Sequence, residues 1–202
     1  MPFKVGLGYS IEKDPLAAAS EASHGAHISL GAEKIDFLLV FFTINLAHPT
    51  VFARIAEIFP DIPAIGCSSA AIMTSHSISN HGLAILAVSL PEGVYFNLAE
   101  TTVENNASDQ SGQLLAEKLL YGFKDIRRDL SILFSDGLLS DASSLIHGIQ
   151  SRLGKSFPVI GGSASDALSF KQTFIYANQQ LSSHSAAAIL LGGRFRFGIG
   201  IK

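Results

Sequence analysis

Residues 158–166 read P-V-I-G-G-S-A-S-D, and a weaker copy, P-A-I-G-C-S-S-A-A, lies about 95 residues earlier at 63–71. In each, a proline starts a short apolar run that breaks at glycine and serine, the pattern of a buried strand ending in a donor-rich turn. The halves of the chain align around these copies. Upstream, D-F-L-L-V-F-F-T at 36–43 matches D-L-S-I-L-F-S-D at 129–136; downstream, S-N-H-G-L-A-I-L at 79–86 matches S-S-H-S-A-A-A-I at 182–189. An insertion of eight residues in the second half separates the last pair from its glycine run. Three anchors recurring in one order predict a single domain, 1–202, built from two repeats at about 1–91 and 92–193.

Each repeat reads β-α-β-α-β followed by further strands. Residues 3–9 alternate as a strand, and Asp14-Pro15 caps and opens a helix running to about Gly31. Its thin apolar face, Leu16, Ala19, Ala22, Ala26 and Leu30, suits close packing on a sheet. The run 35–42 predicts a strand buried on both faces. Pro49 opens a helix whose apolar residues Val51, Phe52, Ile55, Ile58 and Phe59 share one face, and Pro60 closes it. After strands at 82–90 and 94–101, Ser108 is expected to cap a helix that ends at Gly122, and Asp141 one that ends at Gly154. Strands are expected at 129–134, 173–176, 186–191 and 194–201. The fold class is therefore α/β, with mixed sheets covered by helices.

Only 15% of residues are charged and the net charge is −3, so no basic face is offered to nucleic acid or to an anionic membrane. No apolar run reaches the roughly 18 residues of a membrane span, and the first residues lack a signal peptide. The single Cys67 cannot form an internal disulfide. Together these predict a cytoplasmic chain.

The candidate ligand-binding residues are Gly66, Cys67, Ser68, Ser135, Asp136, Gly161, Gly162, Ser163 and Asp166. Strand ends of this kind present amides and hydroxyls that suit a carboxylate or phosphate, and in α/β sheets ligands gather at the carboxyl ends of parallel strands. Ser68, Asp136, Ser163 and Asp166 are expected to meet in one pocket between the repeats. The hydroxyls and amides would take a carboxylate, and Asp136 or Asp166 an amino group. Against these readings stand tight-turn geometry for the glycines and a turn or helix cap for Asp136. Cys67 could act as a thiolate in a hydrolase or transferase, as could a serine in a glycine turn, but no Cys-His-Asn pattern accompanies them. His81 and His184 occupy matching places, which favours a structural role over ligand or haem binding. Glu21, His24 and His27 drift around their helix and form no metal site, and Arg127-Arg128 is a solvated pair. No Walker loop, zinc pattern, serine elbow or dinucleotide fingerprint is present.

I-G-C-S-S-A-A-I at 65–72, L-F-S-D-G at 133–137, and V-I-G-G-S-A-S-D followed by F-K-Q-T-F-I-Y-A-N at 170–178 resemble the N-terminal half of the FIST family of sensory domains. Ala71 departs from the glycine or acidic residue usual there, and the family's C-terminal half does not follow. The resemblance implies sensing of a small, amino-acid-like molecule in bacterial signal transduction, with a signalling protein or the C-terminal half as partner. A subgroup is similar to haem-based nitric oxide sensors; no cofactor is expected here, and no enzyme activity. With mean hydropathy at +0.34, an uncovered apolar face is expected along 186–201, giving a homodimer or a protein contact.

Overall fold

The computed structural model describes residues 3–75, 77–104, 106–139 and 141–200. The first repeat runs β1 (Lys4–Ser10), α1 (Pro15–Leu30), β2 (Phe37–Thr43), a short 3₁₀ turn (Ile44–Leu46), α2 (Pro49–Ile58) and β3 (Ala64–Ser69). A small hairpin, β4 (Ile72–Met73) with β5 (Ile78–Ser79), leads into β6 (Leu83–Ser89). The second repeats this order: β7 (Val94–Thr102), α3 (Ser108–Leu120), β8 (Arg128–Ser135), α4 (Ala142–Leu153) and β9 (Val159–Ser163). A hairpin again follows, β10 (Ile175–Ala177) with β11 (Gln180–Ser182), and then β12 (Ser185–Gly193).

The duplication extends to strand order and register. One sheet places its strands β1-β6-β2-β3 and the other β7-β12-β8-β9, each position matching its counterpart. In both, the last pair is parallel, with Leu39 opposite Ile65 in one and Ile132 opposite Ile160 in the other. Even the closing bond recurs: Thr43 N donates to Gly82 O, and Asp136 N to Ser185 O, both at 2.9 Å. The symmetry breaks at the hairpins. β10 and β11 leave their own repeat and extend the first sheet to six strands, β10 lying antiparallel on β3 with Tyr176 opposite Gly66. β4 and β5 pair only with each other.

The sheets pack face to face, with Phe37, Ile65 and Ile175 of one against Leu130, Ile189 and Leu191 of the other. Helices α1 and α2 cover the outer face of the first sheet, α3 and α4 that of the second, giving four layers. The alanines of α1 are buried as its thin apolar stripe requires, and Asp14 caps it by accepting from Ala17 N at 2.8 Å. Asp141 caps α4 in the same way through Ser144 N at 2.9 Å.

Three expectations fail. Ser108 begins α3 instead of capping it, and its hydroxyl is buried without a partner among the described residues. Residues 194–200 form no strand, because the β12 ladder ends at the Gly193–Val94 pair. Ile201 lies outside the described residues. Of the apolar face expected along 186–201, β12 forms no part: it is an inner strand, paired on both sides and buried through Gly192, while Phe197 and Ile199 beyond it are exposed. Among the described residues no helix is long and apolar enough to cross a membrane.

Candidate functional site

The two glycine runs lie within strands, not in tight turns. A Cβ on Gly66 would sit 1.6 Å from the carbonyl oxygen of Val40, and one on Gly161 would sit 1.8 Å from that of Leu133. Each glycine lets its strand approach the preceding parallel strand at the same register position, so both are set by packing. Ser68 follows as a staple. Its N–H donates to Phe174 O at 2.9 Å, its hydroxyl accepts from Phe174 N at 3.0 Å, and its carbonyl accepts from Ser165 N at 2.9 Å. It thereby ties β3 both to the lead-in of β10 and to the loop after β9.

Both expected anionic residues are occupied by the protein itself. Asp136 is buried, and its Oδ1 accepts from Leu138 N at 2.8 Å and from the Thr173 hydroxyl at 2.5 Å. Its Oδ2 accepts from His184 N at 2.6 Å. The carboxylate pins the end of β8 to the approach of β12, where Thr43 does the same with its hydroxyl in the first repeat, bonding both to the carbonyl and from the amide of Gly82. Asp166 accepts from the amides of Phe170, Lys171 and Gln172 at 3.1, 2.7 and 3.1 Å. Ala167, Leu168 and Phe170 in that loop all have left-handed φ, between 52° and 65°, a strained run that the carboxylate holds. The Lys171 amide, with its neighbours, lowers the Asp166 pKa below the ordinary carboxylate value. Neither group is directed to a ligand, so the zwitterion pocket expected from Asp136 and Asp166 is not formed.

A cavity does lie between the repeats. About 300 Å³ in volume, it is bounded by Phe41 and Cys67 from the first repeat and by Phe134, Gly162, Ser163 and Ser165 from the second. Of the expected residues it also touches Ser68 and Gly161; Gly66, Ser135, Asp136 and Asp166 are not in its lining. Ser135 faces the helix side of its sheet, its hydroxyl 3.2 Å from that of Ser163, beside a second cavity of about 200 Å³ against α4. Phe41 and Phe134 meet edge to face, 5.5 Å apart at 80°. Sequence reasoning passed over this pair, though the alignment of 36–43 with 129–136 places the two phenylalanines in register.

Cys67 is buried, and burial pushes its thiol up to about 12. His81 spends one ring nitrogen on Asn45 at 2.6 Å and the other on Glu12 O at 2.8 Å. An axial bond to haem iron would have to break one of these, so this position does not fit the group. His184 has φ of 49° and contributes its backbone, donating to Asp136 and accepting from Val103 N. On α1, Glu21 accepts from the Ser10 hydroxyl and His27 packs on Phe59; no cluster of three metal-ligating side chains occurs among the described residues. Arg127 pairs with Asp129.

No curated protein matches the chain. Among solved structures, the cyanuric acid hydrolase from A. caulinodans is similar at 7% identity with a TM-score of 0.48, over 96% of this chain and 72% of that one, too distant to transfer any chemistry. The sequence profile of the FIST N domain matches residues 36–202, all but the first strand and helix of the double repeat, and the chain belongs to the FIST family of sensory domains.

Proposed function

We propose that the cavity between the repeats is the sensing site, and that it takes a small carboxylate of amino-acid size. The observation that carries this reading is the pairing of Phe41 with Phe134 beside Ser69, Ser165 and the Gly162–Ser163 segment, in a space of about 300 Å³ with no charged residue in its lining. The phenyl rings suit the apolar part of such a molecule, and the hydroxyls suit its carboxylate. An amino group would face solvent, because Asp136 and Asp166 already hold backbone amides. Ligand entry would alter how the two repeats meet, and a signalling protein in a bacterial pathway would read that change.

The reading leaves Cys67 as a wall of the cavity: it is buried, and burial pushes its thiol up to about 12, which disfavours the thiolate a nucleophile needs. At His81 haem is disfavoured as well, since both ring nitrogens are already bonded. Calorimetry against a panel of amino acids and small carboxylates tests the site. A hit should weaken by about 1–3 kcal/mol in Ser165→Ala or Phe134→Ala and be unchanged in Asp136→Asn. Hits indifferent to both cavity variants would refute it.

A further inference from the structure

The edge of β3 is covered and the edge of β9 is bare, although the repeats are otherwise matched strand for strand. β3 is buried almost throughout; β9 is exposed at four of its five residues. On β3, Ala64 O accepts from Asn178 N, Gly66 pairs with Tyr176, and Ser68 N donates to Phe174 O. On β9 the bonds Pro158 O to Ser131 N and Ala164 N to Ser135 O fix the alternation, so that Val159, Gly161 and Ser163 turn their backbone groups to the open side.

The side chains match. Tyr176 of β10 is 1% exposed and stacks on Phe52 of α2 with ring centres 4.5 Å apart. Phe52 holds the second place in the run Val51, Phe52, Ile55, Phe59, which Ile146 holds in Leu145, Ile146, Ile149, Leu153 of α4. Yet Ile146 is 37% exposed and lines the cavity of about 200 Å³ with Val159 and Gly161. That cavity lies where a side chain equivalent to Tyr176 would enter.

The first repeat carries the matching donor. Its hairpin pairs Ile72 with Ser79 and Met73 with Ile78, as the second pairs Ile175 with Ser182 and Tyr176 with Leu181. Met73 therefore stands in the place of Tyr176, and it is 74% exposed, with Ile78 at 69%. We infer that the β4–β5 hairpin of one chain docks antiparallel on β9 of a second copy, Met73 entering beside Ile146, in the way β10–β11 docks on β3 within the chain. The exchange can be reciprocal, closing a pair with two such joints.

The test uses the whole chain. Sedimentation of the wild type should show concentration-dependent dimers. Met73→Asp spoils the donor and Ile146→Lys the acceptor; both positions are exposed, so melting temperatures at dilutions where the chain is monomeric should not change. Each variant alone should self-associate at least about tenfold more weakly than wild type. An equimolar mixture retains one intact joint and should recover association between the two variants. Variants that dimerise like the wild type, a mixture without recovery, or a wild type monomeric at every concentration would overturn the inference.

Discussion

Asp136 has the type and position of a ligand-binding residue, at the carboxyl end of a parallel strand, and its partners give it another task. Three protein donors converge on its two oxygens. Asp136→Asn would turn an amide nitrogen toward one of those donors, so the empty protein should lose about 1–3 kcal/mol, read as a fall in thermal stability, with ligand affinity unchanged. For Asp166 the folded pKa lies below the unfolded one, so its contribution is complete above the ordinary carboxylate value near 3.9 and is lost as pH falls through the lowered value. Protection of the Phe170, Lys171 and Gln172 amides, measured as exchange relative to the intrinsic rate at each pH, should therefore fall at acid pH, and Asp166→Asn should remove that dependence. Cys67 should resist alkylation in the native protein at pH 8 and react on denaturation, the behaviour of a thiol raised to about 12. Two of the three donors on Asp136 come from Thr173 and His184, far along the chain, so the sequence beside it does not mark its environment.

Elements defined by local signals were legible: α1 from Asp14-Pro15 and Gly31, α2 from its apolar spacing between prolines, α4 from Asp141 and Gly154. The parallel strands followed from their apolar runs. What stayed hidden was decided across the chain. Nothing in I-Y-A announces a strand that will cap the other repeat's sheet, and β4 and β5, two residues each, are too short for any periodicity. The cavity was expected between the repeats at the strand ends, but its aromatic walls were not, because the glycines were read as turns. Tyr176→Ala should show how much the borrowed strand contributes. Emptying the stack on Phe52 should cost about 3–5 kcal/mol in urea unfolding, several times more than Tyr176→Phe.

At the scale of the molecule the borrowed hairpin ties the two repeats together, and they are expected to fold as one unit. Residues 1–91 alone would leave the outer edge of β3 unpaired and Phe52 uncovered, and should not fold by circular dichroism until mixed with the remainder. The consequence is one of timing. The bond from Phe174 N to Ser68 spans 106 residues, so on the ribosome the first sheet waits for nearly the whole chain before it can close. At about 5–20 residues per second this leaves β3 bare for roughly 5–20 s. A strand edge uncovered that long is a target for chaperones, and synthesis of this domain should depend on them more than its size suggests.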